Sequence, residues 1–226
     1  MFKHSHPYPP FIKNSTRKLI VGTLPPPGFT TGDLLEKDVD FCYGSYYNSL
    51  WLFIDSIHHL NLRYDNSEEA VSQRKAFLIK QNIGVCDIVE SCEREKIEAS
   101  DLGMKHVELR NIIGYLKEYP AIDTLLFTGG NSKNGPEYFF RKQIRDHGLK
   151  LELVSKETPR RHQFVMPVDA GHSPELQRVV KTVSLTSASG AANISIGSNP
   201  LYKQLKARHP KFTTFDFRVL QYREFL

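Results

Sequence analysis

Cysteine, tryptophan and methionine are scarce in this chain of 226 residues, which has three cysteines, one tryptophan and three methionines. The cysteines, Cys42, Cys86 and Cys92, are an odd number and lack the paired spacing of a zinc finger. They are also one thiolate short of a four-cysteine iron–sulfur site. The sequence therefore argues against a disulfide framework and indicates buried thiols in a reducing compartment.

Long apolar runs are missing as well, and residues 1–14 are rich in histidine and proline instead of forming an apolar segment. Since a membrane-spanning helix needs about 20 mostly apolar residues, we expect no membrane contact, no secretion signal and a cytoplasmic location. Repeats, low-complexity tracts and linkers are absent too. With 40% apolar residues the chain can build one sizeable core, so we expect a single domain over residues 1–226 and a monomer.

The histidines do not have the spacing of metal ligands. His58 and His59 are adjacent and cannot face one metal ion from a helix. Of the seven other histidines, five show no ligand spacing: His4, His6, His162, His172 and His209. We therefore predict neither a metal nor a cofactor. The net charge of +5 is compatible with a polyanionic partner but does not require one.

Short apolar runs alternate along the chain with segments of helical periodicity. Strands are predicted at residues 18–21, 84–89, 124–127, 151–154, 163–166 and 181–185. Helices are predicted to start near residues 48–49, 66–67, 136, 199–200 and 213–214, and another to carry Val107, Leu109, Ile112, Ile113 and Leu116 on its apolar face. This alternation is typical of a three-layer α/β/α fold with a central, mostly parallel sheet.

Four predicted strands end in loops of small or polar residues, at residues 22–28, 87–92, 128–132 and 186–193. The carboxyl ends of parallel strands meet at one edge of a sheet, where open α/β folds bind their ligands. Three consecutive prolines at residues 25–27 rule out a continuing strand or helix in the first loop, which we expect to be rigid and extended. The four loops are thus expected to surround one crevice.

The four strand ends with their loops, together with the segment at residues 43–51, carry five motifs in a recognisable order. They are Gly-Thr-Leu-Pro-Pro from residue 22, Tyr-Gly-x-x-x-Asn-x-x-Trp from 43, Gly-x-x-Asp-Ile-Val-x-x-Cys-x-Arg from 84, Leu-Leu-Phe-Thr-Gly-Gly from 125 and Leu-x-Ser-x-Ser-x-x-x-Asn from 185. In this order they resemble the uracil-DNA glycosylase superfamily, and most closely its mismatch-specific and hypoxanthine-DNA glycosylase branches. The resemblance extends from about residue 6 to residue 193. It implies a DNA repair enzyme that hydrolyses the N-glycosidic bond of a flipped-out uracil or hypoxanthine.

The resemblance also implies a role for Asn48, at the position of the catalytic asparagine of the hypoxanthine branch. Breaking the bond between base and sugar requires a positioned water and donors for the departing base, but not a pair of carboxylates. We expect the Asn48 amide oxygen to orient the water. A helix cap is the alternative, and both roles are compatible.

Base binding is the implied role of residues in the first three motifs. Tyr43 matches the aromatic residue that stacks on the base, although Tyr46, Tyr47 or a place in the core are alternatives. Asp87 either accepts hydrogen bonds from the base or only stabilises the structure. Thr23 and its neighbours offer backbone amides, whereas Leu24 stands where the uracil and mismatch branches have a catalytic Asp or Asn.

DNA contact is the implied role of the last motif, in which Ser187 and Ser189 match the serines that hold the flanking phosphates and Asn193 is a further DNA-binding candidate. A flexible turn is the alternative, and the loop departs from the family because Thr186 and Gly190 replace prolines. Arg94 and Asp101 match family positions less closely and are as well explained by a mutual ion pair. Two other functions remain open: a catalytically silent DNA-binding relative, and an enzyme acting on nucleosides or nucleotides.

Overall fold

The computed structural model describes residues 1–167 and 177–226, so His172 lies outside the described part. Its strands are β1 (Phe2–Ser5), β2 (Lys18–Gly22), β3 (Ile83–Asp87), β4 (Val89–Arg94), β5 (Lys105–Leu109), β6 (Thr124–Phe127), β7 (Glu152–Ser155), β8 (Arg160–Pro167) and β9 (Gln177–Ser184). Its α-helices are α1 (Pro27–Thr31), α2 (Leu50–His58), α3 (Glu68–Lys80), α4 (Ile112–Glu118), α5 (Pro136–Asp146), α6 (Asn193–Ser198), α7 (Pro200–Arg208) and α8 (Thr214–Arg223).

The central sheet has six strands in the order β3-β2-β6-β9-β8-β7. The first four are parallel, and their registers pair Gly22 with Asp87 and Phe127 with Ser184. Their carboxyl ends therefore form one aligned edge. Strands β8 and β7 are antiparallel, because the four residues between them are far too few for a crossover. The α/β prediction is confirmed, with a mixed sheet.

Helices cover both faces of the sheet, and the strands alternate between two cores. Ile20 and Leu126 pack against α2, α3 and α8, whereas Leu19 and Phe127 pack against α4 and α5. Side chains alternate between the faces of a strand, so a strand buried on both sides has an almost continuous apolar sequence. This is why the parallel strands were recognisable from the sequence.

A second sheet was not predicted. It is antiparallel, in the order β1-β4-β5, and it pairs the first residues of the chain with residues 89–94. The prediction that Val107 and Leu109 belong to a helix is wrong, because they lie in β5. The predicted loop at residues 87–92 is also mostly strand. The pairing that stabilises β4 comes from about ninety residues away, so local sequence does not reveal it.

Helix starts were predicted more accurately. Side chains of Ser67, Asn199 and Thr213 accept backbone N–H groups at the starts of α3, α7 and α8. The expectation that the prolines prevent a helix is wrong in one respect: Pro27 begins the short helix α1, in a first turn where proline is tolerated. The three thiols are free and buried, as predicted. Within the described residues, no helix has the length and apolar character required to cross a membrane.

Candidate active site

A cavity of about 650 Å³ opens at the edge where the parallel strands end. Seven of the predicted site residues line it: Thr23, Leu24, Tyr43, Asn48, Asp87, Ser187 and Ser189. Five of them lie at or just after the carboxyl ends of β2, β3 and β9, which meet here because these strands belong to one parallel, in-register set. Asn193, the eighth, does not line the cavity.

Asn48 lies in the turn before α2 and next to the last loop. Its amide oxygen accepts the backbone N–H of Leu50 at 3.1 Å. An isolated antiparallel bridge joins it to Ser189, and the N–H of Ser49 donates to the carbonyl of Ala188 at 3.0 Å. The bond to Leu50 uses one of two lone pairs, so the amide oxygen keeps a second acceptor site.

Tyr43 sits on a tight turn that depends on glycine. Its φ is 58°, and a Cβ on the following Gly44 would lie 1.8 Å from the Val39 carbonyl oxygen, so only glycine fits there. The same turn is held by buried Asp38, whose carboxylate accepts the N–H groups of Leu35 and Tyr46. Sequence reasoning missed Asp38, which stands among ordinary loop residues. Tyr43 itself is only 7% exposed, so most of its ring belongs to the core.

The other aromatic residues of this segment separate into core and surface. Trp51 is buried and its indole N–H donates to the Cys42 carbonyl, so Trp51 belongs to the core. Tyr47 lines the cavity and is 75% exposed. Tyr47 therefore supplies exposed aromatic surface at the cavity, whereas Tyr43 is almost wholly buried.

Asp87 ends β3 and is held by a histidine from the start of the chain. The ring Nδ1 of His6 accepts the N–H of Tyr8 at 3.1 Å, so the hydrogen-bond network assigns the ring proton to Nε2. Nε2 then donates to Asp87 Oδ2 at 3.0 Å. Sequence reasoning gave His6 no function, because a separation of 81 positions in the chain conceals its contact with Asp87.

Two polar atoms beside this pair have no hydrogen-bond partner among the described residues: Asp87 Oδ1 and the Tyr43 hydroxyl. Both residues are more than nine-tenths buried, and both line the cavity. A Cβ on Gly22 would lie 2.5 Å from Asp87 Oδ1 and 2.6 Å from the Tyr43 hydroxyl, so the missing side chain leaves room for both atoms. Burial and the adjacent Asp87 carboxylate raise the pKa of Tyr43 well above its usual value, which keeps the phenol a donor.

The segment between β4 and β5 brings a second carboxylate, that of Asp101, to the cavity. The Thr23 hydroxyl donates to Asp101 at 3.3 Å, and Leu24 packs partly against the core. Burial raises the pKa of Asp101 to about 6. The alternative that Arg94 and Asp101 form an ion pair is wrong: Arg94 donates to His4 Nδ1 and to the Ser100 carbonyl.

Hydrogen bonds from helix α8 anchor the last loop. Buried Arg218 donates to the carbonyls of Ser187 and Ser189, at 3.2 and 3.0 Å, and to the Asn193 side chain at 3.0 Å. The Ser187 hydroxyl donates to that of Ser189 at 3.1 Å. Asn193 thus helps to anchor the loop, and its predicted contact with DNA stays a prediction. Arg218 was missed because nothing in its helical surroundings marks it as a loop anchor.

Within residues 1–167 and 177–226, no group of three or more His, Cys, Asp or Glu side chains is arranged to hold a metal ion. The cavity instead combines the buried acceptor of Asp87, the buried hydroxyl of Tyr43 and the side-chain amide of Asn48. The last loop, residues 186–193, adds Ser187 and Ser189. These groups suit a flat, polar ligand that carries both N–H and carbonyl groups.

Comparison with known proteins adds information on the fold. No model of a known protein family matches the sequence, and no curated protein matches it. A solved structure does: the solution NMR structure of "a putative Uracil DNA glycosylase" from Methanosarcina acetivorans is 18% identical, with a TM-score of 0.53. The match covers 96% of this chain and 99% of the other. The chain therefore has an α/β fold similar to that of the Methanosarcina protein.

Proposed function

We propose that this protein is a DNA glycosylase that hydrolyses the N-glycosidic bond of a flipped-out, deaminated base such as uracil or hypoxanthine. The observation that carries the proposal is the convergence of seven motif residues on one cavity. The similarity to the Methanosarcina structure supports it at the level of the fold. No metal or cofactor takes part in the proposed reaction.

Base recognition is assigned to the two unpartnered buried atoms. Deaminated bases carry a ring N–H next to a carbonyl, and enzymes read a flipped base through hydrogen bonds to this edge. Asp87 Oδ1 accepts the N–H, and the Tyr43 hydroxyl donates to the carbonyl, where negative charge grows as the base leaves. Exposed Tyr47 adds stacking area, which is worth about 1 to 3 kcal/mol per base.

We assign the binding of the attacking water and of the DNA backbone to Asn48 and to the serines of the last loop. The free lone pair of the Asn48 oxygen orients the attacking water, while its bond to Leu50 fixes the amide. Ser187 and Ser189 contact the phosphates that flank the extruded nucleotide. Extrusion costs a few kcal/mol and costs least for mispaired bases, so selectivity begins before the base is read.

Both ends of the chain support this site, through His6 and Arg218. We propose on this ground that residues 1–226 act as one domain. We further propose that the protein is a cytoplasmic monomer.

A panel of duplex oligonucleotides that contain uracil, hypoxanthine, xanthine or mismatched thymine tests the activity. Released base leaves an abasic site, which alkali converts to a strand break. We expect breaks with at least one deaminated base and none with an undamaged duplex.

Two results would contradict the proposal. Binding to these duplexes without any strand break would indicate a catalytically silent relative. Cleavage of free nucleosides at a rate equal to that of DNA would indicate a nucleoside enzyme.

A further inference from the structure

A second groove, of about 450 Å³, continues from the base cavity across the last loop. The two share seven lining residues: Thr23, Asp101, Thr128, Ser132, Ser187, Ser189 and Ala191. The last loop, which carries Ser187 and Ser189, therefore lies between the cavity and the groove.

The far wall of the groove comes from the turn between β7 and β8. Lys156, Thr158 and Arg160 line it from residues 156–160. In a parallel sheet only loops that follow strands reach the carboxyl edge. Here β8 is antiparallel to β9 and pairs Arg160 with Ser184, the last residue of β9, so the turn that precedes β8 reaches this edge too.

Lys156 and Arg160 give this wall of the groove its positive charge. Lys156 and Arg160 are exposed, and neither forms an ion pair with a described residue. Two carboxylates also line the groove. Glu137 is fully buried and bonded to Arg141 and Ser184, and Asp101 accepts the Thr23 hydroxyl on the opposite side. Lys156 and Arg160 thus remain available for an anion in the groove.

We propose that Lys156 and Arg160 form a phosphate-binding arm that holds the DNA strand on one side of the extruded nucleotide. This inference rests on the proposed DNA glycosylase function and adds the contact surface for one flank of the substrate. Serines position phosphates through neutral hydrogen bonds, whereas cations add counterion release and hence salt-dependent affinity.

Arg161 provides a matched control. It is the next residue in β8, has the same charge and is also exposed. Because neighbouring side chains of a strand point to opposite faces, Arg161 lines a different cavity, with Lys18 and Phe225. Arg160→Ala and Arg161→Ala each remove one positive charge, so an effect of net charge alone should be the same in both variants.

The experiment measures equilibrium binding of a fluorescent duplex that carries one tetrahydrofuran abasic analogue, over a range of salt concentrations. We expect Arg160→Ala to weaken binding roughly two- to fivefold at low salt. The slope of log affinity against log salt should fall by about 1, and by about 2 in Lys156→Ala/Arg160→Ala. Arg161→Ala should leave the slope close to that of the wild type.

Equal slopes for Arg160→Ala and Arg161→Ala, with wild-type binding intact, would overturn the phosphate arm and leave the glycosylase proposal standing. Salt-independent wild-type binding would overturn both. Thermal unfolding of each variant verifies the fold, which exposed side chains should not change.

Discussion

At the scale of single residues, Asn48 illustrates how one side chain can have a structural and a chemical role. Its oxygen accepts the Leu50 N–H at the start of α2, and its backbone bridges to Ser189. A helix-start bond alone is worth about 1 kcal/mol of stability. A water-orienting role instead affects the rate of base release, so the two can be separated by choosing the replacement.

We predict that Asn48→Ala and Asn48→Ser both slow single-turnover base release by about 100- to 1,000-fold, while DNA affinity changes little. Serine can form the same i→i+2 turn bond, although more weakly, so Asn48→Ser should retain part of the stability lost in Asn48→Ala. Single-turnover kinetics and thermal unfolding measure the two effects. Normal base release by Asn48→Ser would show that Asn48 has only a structural role, through its bond to Leu50.

At the scale of elements, the last loop depends on the C-terminal helix. Besides Arg218, α8 offers Gln221, which accepts the Thr186 N–H at 2.7 Å, and Tyr222, whose hydroxyl donates to the Thr186 carbonyl at 2.8 Å. The Arg218 guanidinium also lies 5.2 Å from the Phe53 ring centroid, which connects it to α2. The loop that flanks Asn48 is therefore positioned by a helix about thirty residues further along the chain.

We predict that Arg218→Met loosens the last loop and weakens DNA binding, because the Ser187 and Ser189 carbonyls lose their charged donor. Charge-assisted bonds of this kind contribute about 1.5 to 3 kcal/mol each, less the cost of burying the charge. Hydrogen exchange of the amides of residues 186–190 should accelerate. Arg223→Met, on the exposed side of the same helix, is the control. Unchanged exchange in Arg218→Met would show that the loop does not need this anchor.

At the scale of the whole molecule, half-buried Asp101 and buried His4 make stability depend on pH in opposite directions. Asp101 has a pKa raised to about 6 by burial, from 3.8. His4 has a pKa lowered from 6.5 to about 4 by burial and by the adjacent Arg94. As pH rises from about 4 to 6, the folded state keeps the Asp101 proton longer than the unfolded chain does, so stability falls. His4 has the reverse effect, because the unfolded chain holds that proton more tightly.

We predict that Asp101→Asn removes the destabilising part of this profile. Between pH 4 and pH 6, the free energy of unfolding of the wild type should fall by on the order of 1 to 2 kcal/mol relative to that of the variant, and it should fall no further above pH 6. This value allows for solvent screening, because Asp101 is partly exposed. Urea unfolding at several pH values measures the difference, in which the His4 effect cancels. Parallel profiles for the two proteins would contradict the raised pKa.

Local sequence determined the parallel strands, most helix starts and most of the loops at the site, although residues 89–92 proved to be strand. These features depend on apolar runs, capping residues and short motifs, all of which act between neighbours in the chain. Strand β6 was predicted at its observed residues for this reason.

Only the tertiary structure decided what holds those loops in place. Four features depend on residues that are far apart in the chain: the second sheet, the hydrogen bond from His6 to Asp87, the hydrogen bonds from Arg218 to the last loop, and the pairing of β8 with β9 that places Arg160 at the groove. Such contacts leave no periodic pattern, because their free energy comes from burial and partners that exist only after the chain has folded.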